Sequence, residues 1–231
     1  MIGIICAMQI EIDKINEEIE NKTTETVSGI NFTVGTLYGK SIVTAVCGVG
    51  KVFAAICAEA MIIKYKPDVI INTGVGGTLT HKLSIGDVAV SEAVVQHDMD
   101  TSPLGDPVGL LSGINIVKIP ADCETADKIA ACVEKLGVNS LKGVIASGDQ
   151  FINSSEKKKY ISETFGAIAC EMEGGSIGHV CYVNDVKFAV IRAISDGAGD
   201  ESHMDYPTFA RMAAEKSANA VKLFVKECYN G

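Results

Sequence analysis

The densest set of chemically capable residues lies in residues 187–200, K-F-A-V-I-R-A-I-S-D-G-A-G-D. The first half is apolar and β-branched and short enough for one buried strand. The second half sets Arg192, Ser195 and Asp196 at the end of that strand, before a glycine-rich turn. A strand buried on both faces has no structural use for a guanidinium and a carboxylate four residues apart. Two readings follow. One is an Arg192–Asp196 ion pair closing the strand end; the other is a ligand crevice, because open α/β sheets bind ligands at the carboxyl ends of their strands. A second group is Glu171, Met172 and Glu173 in C-E-M-E-G-G, two carboxylates and a thioether at a strand-to-helix junction. Phe151 in G-D-Q-F-I-N is either an aromatic that stacks on a planar base or a loop anchor. Residues 73–77, T-G-V-G-G, are either a tight turn or a place where backbone approaches a ligand closely. Glu11 is either a first-turn acid favoured by the helix dipole or part of the same chemistry. Gathered at one crevice, these groups suit a sugar attached to a flat base.

The elements that must position them alternate between strand and helix. Strands are expected over residues 2–7, 31–38, 41–47, 68–72, 85–95, 141–147 and 168–172, each a short apolar or alternating run. Helices are expected over 11–21, 52–64, 122–137, 154–165 and 206–229, with one more running up to Val183. Asp122 or Thr125 caps the third of these, and the basic run Lys157-Lys158-Lys159 belongs on a solvated face of the fourth. Gly39-Lys40 reads as a hairpin turn. Residues 101–113 form a long loop rich in Gly and Pro, a type that is usually functional or an interface. The pattern gives one α/β domain over residues 1–231, with a mixed, largely parallel central sheet and helices on both faces.

Composition removes several function classes. The 231 residues are 47% hydrophobic and 21% charged, with a net charge of −9. Nucleic-acid binding needs clustered basic charge, which is absent outside the three lysines. No apolar run approaches a membrane span, and Met1 leads directly into a strand with no room for a signal peptide. The eight cysteines lack a C-x-x-C pair, and Cys6, Cys47, Cys57, Cys170 and Cys181 sit in apolar segments. They read as small buried hydrophobes in a reducing cytoplasm. His81, His97, His179 and His203 show no close ligand spacing, so neither a metal nor another cofactor is expected. G-V-G-K at residues 48–51 lacks the longer spacing of a phosphate loop.

The motifs G-I-I-C-A-M-Q-I-E, G-V-G-K-V, P-D-V-I-I-N-T-G, H-D-M-D, S-G-D-Q-F-I-N, E-M-E-G and V-I-R-A-I-S-D follow one another along nearly the whole chain. In that order they strongly resemble the nucleoside phosphorylase/hydrolase superfamily, and within it the 5′-methylthioadenosine/S-adenosylhomocysteine nucleosidases. The resemblance implies hydrolysis of an N-glycosidic bond, releasing adenine and a 5-thio-substituted ribose. It makes Asp196 the acid that protonates purine N7 and Glu11 the base that activates water. Since free aspartic acid is ionised at neutral pH, such chemistry requires a site that favours the protonated form, through burial or charge coupling. Nearby carboxylates would support the positive charge of the departing sugar, with Glu173 on the ribose hydroxyls, Met172 against the ring and Glu171 carried over as a substrate contact. Phe151 would stack on adenine, the Ile152 backbone would read its edge, and Tyr206 would close the base pocket. Arg192 would orient water and carboxylates, and Ser195 would orient Asp196. Met8 and Val49 are carried over as substrate contacts, with Gly76 and Gly77 offering backbone.

Two positions depart from the family pattern. Val75 stands where a serine is common, which implies slower turnover. Leu104 replaces an aromatic that reaches into the neighbouring subunit's pocket, so a homodimer with the 101–113 loop near the partner's site is still expected. Rival readings are phosphorolysis of a purine nucleoside, hydrolysis of another 6-aminopurine nucleoside or a futalosine-type compound, and a non-enzymatic nucleoside-binding module. Phosphorolysis needs several donors around an anion, whereas Arg192 is the lone arginine of the expected crevice and Glu11 would repel phosphate. A binding module would not need Asp196 and Glu11, and both are present.

Overall fold

Residues 1–197 and 206–229 are described by the computed structural model, the second stretch with its side chains from residue 208 onward. The chain opens with β1 (Ile2–Cys6), α1 (Gln9–Asn16), β2 (Glu20–Val27), β3 (Ile30–Leu37) and β4 (Lys40–Val46). There follow α2 (Lys51–Tyr65), β5 (Val69–Thr78), β6 (Val88–Gln96), a short 3-10 turn (Ser102–Leu104) and β7 (Ile119–Pro120). The remainder is α3 (Cys123–Lys135), β8 (Ser140–Ser147), α4 (Ser155–Phe165), β9 (Ala167–Glu171), α5 (Gly174–Val183), β10 (Lys187–Asp196) and α6 (Tyr206–Glu227).

The ten strands among the described residues join one mixed sheet in the order β10-β6-β8-β9-β5-β1-β4-β3-β2, with β7 paired to β6. Because β10 also pairs with β5, the strands β5, β9, β8, β6 and β10 close into a ring, and β1, β4, β3 and β2 extend outward from it. Parallel pairing joins β4, β1, β5 and β10 in succession, and also β6, β8 and β9. Antiparallel pairs close the ring and form the β2–β3–β4 flank.

Alternation along the strands sends neighbouring side chains to opposite faces. Ile4, Ile71 and Ile191 are buried on one face against α1, α3 and α6, whose Ile15, Ile129 and Phe224 complete that layer. Ile5, Ile70 and Val190 are buried on the other, against Met61 of α2 and Ile177 of α5. Each such side chain contributes roughly 1.5–3 kcal/mol on burial. The two layers hold the strand ends rigidly enough to present polar groups between them.

Several elements differ from the sequence expectation. Helix α1 stops at Asn16, and the residues after it form β2, a strand with every residue exposed except half-buried Val27. Its E-N-K-T-T-E-T sequence has no apolar period; only its β-branched threonines favour the extended state. Residues 73–77 are not a turn. They continue β5, with Gly74 opposite Arg192 and Gly76 opposite Ile194 in β10. Asp122, rather than Thr125, caps α3, accepting from the Thr125 backbone at 2.9 Å. Lys158 of the basic run is 3% exposed, packed inward and away from solvent.

Candidate active site

The glycines of β5 are explained by what lies against them. A Cβ on Gly74 would sit 2.5 Å from Glu11 Oε1, and one on Gly77 would sit 2.7 Å from Asp196 Oδ2. The strand is therefore stripped of side chains where two carboxylates approach it. Glu11 lies in the first turn of α1, 3% exposed. Its Oε2 accepts from the Ala7 and Met8 N–H groups at 3.0 and 2.9 Å, and its Oε1 from Val75 N–H at 3.0 Å. Burial raises the pKa of this carboxyl; the Arg192 charge and the three N–H groups oppose that rise without cancelling it. A buried carboxyl whose proton affinity is raised is suited to take a proton from water.

Glu171 and Glu173 flank the start of α5 and divide the work. Glu171 Oε2 accepts from the N–H groups of Glu173 and Gly174 at 2.9 and 2.7 Å and from an Arg192 Nη2 donor. Its Oε1 takes the Ser147 hydroxyl, whose oxygen in turn accepts from Gly175 N–H. These contacts place a negative charge at a helix N-terminus, where the dipole favours it. They also leave Glu171 saturated. Glu173 Oε1 accepts from Gly50 N–H at 2.9 Å, while Oε2 lies 3.7 Å from Arg192 Nη2, and the residue lines the cavity. Burial, then the Glu171 charge beside it, pushes the Glu173 carboxyl up to about 7, against the pull of Arg192 and Gly50.

Arg192 lies beneath this layer, 1% exposed. It donates to Asn72 and Ile191 carbonyls at 3.3 and 3.0 Å, to the Asn72 side-chain oxygen and to Glu171. Burial works against its charge, but Glu171, Glu173 and Glu11 outweigh it and hold the guanidinium charged. No ion pair joins Arg192 to Asp196 among the described residues. The partner of Asp196 is Lys158 of α4, with Nζ 3.1 Å from Oδ2, the two side chains 3% and 5% exposed. Lys158 also donates to the Gly197 carbonyl at 2.6 Å, and Ser195 Oγ donates to Asp196 Oδ1 at 3.3 Å.

One wall of the site is built by the loop after β8. Asp149 accepts from Lys51 N–H at 2.8 Å and so caps α2, while Asp98 Oδ2 accepts from Asp149 N–H at 2.9 Å. Lys51 Nζ donates to Asp98 Oδ1 at 2.6 Å. This triad accounts for the lysine of G-V-G-K without any phosphate. It locks the loop carrying Phe151 and Ile152 to the helix whose Gly50 holds Glu173.

These groups surround a cavity of about 260 Å³. Met8, Glu11, Val49, Val75, Gly76, Phe151, Ile152, Glu171, Met172, Glu173, Ser195 and Asp196 all line it. Gly77 stands behind Asp196, and Arg192 beneath the carboxylates, so both act on the site indirectly. Leu104 is 84% exposed on the 3-10 turn and does not reach this cavity. The Tyr206 side chain lies outside the described residues. Sequence reasoning missed Lys158, hidden in a basic run, and Asn72 and Ser147, which read as ordinary strand-end polar residues.

The description "Phosphorylase superfamily" matches residues 1–226. A 5′-methylthioadenosine/S-adenosylhomocysteine nucleosidase from Neisseria meningitidis, solved with methylthio-immucillin-A, is 31% identical with a TM-score of 0.93, covering 97% of this chain and 98% of that one. A Helicobacter pylori nucleosidase mutant with 5′-methylthioadenosine in its active site is 32% identical at 0.93, covering 98% of each chain. A futalosine hydrolase of Helicobacter pylori is 33% identical at 0.92, covering 98% and 97%. With a family match over nearly its full length and this arrangement of strand-end carboxylates, the chain belongs to the phosphorylase superfamily.

Proposed function

We propose that the protein hydrolyses the N-glycosidic bond of 5′-methylthioadenosine and S-adenosylhomocysteine, yielding adenine and the 5-thio-substituted ribose. The observation that carries this reading is the pairing across one cavity of Asp196 with Glu11, the latter a buried carboxyl held by three N–H groups. Asp196 gives its proton to purine N7 as the N9–C1′ bond breaks and the bonding electrons pass into the base. The sugar becomes an oxocarbenium ion, and Glu173 and Glu171 stabilise its charge. A water oxygen bonds to C1′ and its proton passes to Glu11. Exchange of one proton with solvent at each carboxyl restores the starting state. Glu173, which lines the cavity, binds the ribose hydroxyls, and Met172 packs on the ring. Phe151, 55% exposed at the cavity, stacks on adenine beside the Ile152 backbone. Free thiols buried in the core suit a cytoplasmic setting.

Water is favoured over phosphate as the nucleophile because no lysine or arginine lines the cavity among the described residues. A futalosine-type substrate is a second reading, supported by the 33% identical futalosine hydrolase. Two copies are proposed to assemble through the exposed apolar face of α2, bringing Leu104 near the partner's site.

The deciding experiment is product analysis with methylthioadenosine, with and without phosphate. Free methylthioribose, formed at a rate indifferent to phosphate and abolished in Asp196→Asn, is the expected result. A strict phosphate requirement would reject the role of Glu11. Cleavage of futalosine alone would move the substrate to the second reading.

A further inference from the structure

Lys158 approaches Asp196 from α4, on the side away from the cavity, and it is not among the residues that line it. Its ammonium donates to Asp196 Oδ2 at 3.1 Å and to the Gly197 carbonyl at 2.6 Å, with 3% of the side chain exposed. Taking an ammonium and a carboxylate out of water costs several kcal/mol per ion, and an apolar pair of similar volume commonly serves a fold as well. Stability alone therefore gives little reason for a lysine here. The same helix follows directly on the loop that carries Phe151 and Ile152, so the pair ties the acid to the loop that forms the base side of the cavity.

We propose that Lys158 is the positioning residue of the general acid, an inference that rests on the hydrolytic reading above. The ammonium holds Oδ2 and leaves Oδ1, next to Ser195, as the oxygen that hands its proton to N7. As that proton leaves, Asp196 returns to the carboxylate form and its charge develops 3.1 Å from the ammonium, the two side chains 3% and 5% exposed. A fixed cation at the place where negative charge appears favours the transition state over the ground state. No proton needs to leave Lys158 in this scheme. It acts through Asp196 and touches no substrate atom.

A leaving group that needs no protonation separates this role from simple packing. Lys158→Met and Lys158→Gln are compared with wild type on methylthioadenosine and on a p-nitrophenyl 5-methylthioriboside, whose phenolate departs without an acid. On methylthioadenosine both variants are expected to lose roughly 10- to 100-fold in kcat, the scale of general-acid assistance, with KM little changed. On the nitrophenyl riboside the loss is expected to stay within about threefold, because bond cleavage there does not draw on the acid. Equal losses on both substrates, with or without a lowered melting temperature, would reduce Lys158 to a structural lysine. Full activity of Lys158→Gln would show that a neutral donor suffices and overturn the role of the charge. If Met at 158 prevents folding, the Gln variant carries the comparison. A wild-type chain that cleaves neither substrate removes the hydrolytic reading and this role together; wild-type cleavage with equal losses in the variants removes only the role.

Discussion

Val75 lines the cavity and donates its backbone N–H to Glu11 Oε1 at 3.0 Å, which sets it beside the carboxyl proposed to activate water. An isopropyl group there offers no hydrogen bond to a sugar hydroxyl or to water. A hydroxyl would add one bond worth about 1 kcal/mol, roughly fivefold in rate if it is made in the transition state. Val75→Ser is therefore expected to raise kcat by about that factor. Steady-state kinetics on methylthioadenosine checks it, and an unchanged or lower kcat would reject the idea. The same scale shows what single residues conceal in a sequence. Asp196 announces itself because a carboxylate at the end of a buried strand has no folding purpose, whereas Glu11 reads equally as a first-turn acid and is singled out only by the motif order. Lys158 does not announce itself, because a lysine between two other lysines on an amphipathic helix looks solvated. Only its contact with Asp196 at the end of β10, made from a helix packed on β8 and β9, distinguishes it.

At the scale of elements, the site depends on how closely α5 and β8 approach. A Cβ on Gly175 would meet Ser147 Oγ at 2.8 Å and the Val95 carbonyl at 2.9 Å, and the latter is backbone that cannot swing aside. Gly175→Ala should push the helix start off the strand and disturb the Ser147–Glu171 contact. The expected cost is about 2 kcal/mol for overpacking, a fall in Tm of roughly 4–8 °C for a chain this size. Thermal melts of the variant test this, and an unchanged Tm would mean the junction has slack. Element boundaries followed the sequence well wherever apolar runs were dense, as in β1, β8 and β10. They failed where the cue was different. β2 has no hydrophobic period to read, and the glycines of β5 resemble a turn although they serve close approach by Glu11 and Asp196. The motif order told that those carboxylates belong to one site. It could not tell that Arg192 serves Glu171 and not Asp196, because that choice follows from the register of β10 on β5 and from the placement of Asn72.

For the molecule as a whole, the conspicuous surface feature is the apolar face of α2, where Val52, Phe53, Ile56 and Ile63 are 70, 57, 41 and 65% exposed. Contiguous apolar surface on a helix of an acidic protein marks an interface more often than a solvated face. Phe53→Lys is expected to convert the proposed homodimer to monomer, because two copies of the new charge would meet across a two-fold interface. Sedimentation velocity of wild type and variant decides it, and a monomeric wild type would withdraw the dimer. If Leu104 reaches the neighbouring cavity, the monomer also loses affinity for substrates with long 5′ tails.

The ring of β5, β9, β8, β6 and β10 bears on how the chain is made. Its closing strand is β10, which pairs with both β5 and β6. Translation delivers the N-terminal flank of β1 to β4 early, and those strands can find one another while the ribosome is still working. The ring cannot close until residues 187–196 have emerged. Until then β5 and β6 expose unpaired edges to the cell, and such edges are templates for aggregation. Asp196, at the far end of that last strand, takes its place among the other carboxylates only as the barrel shuts. The cavity's set of carboxylates is thus completed by the same event that ends the chain's most vulnerable interval.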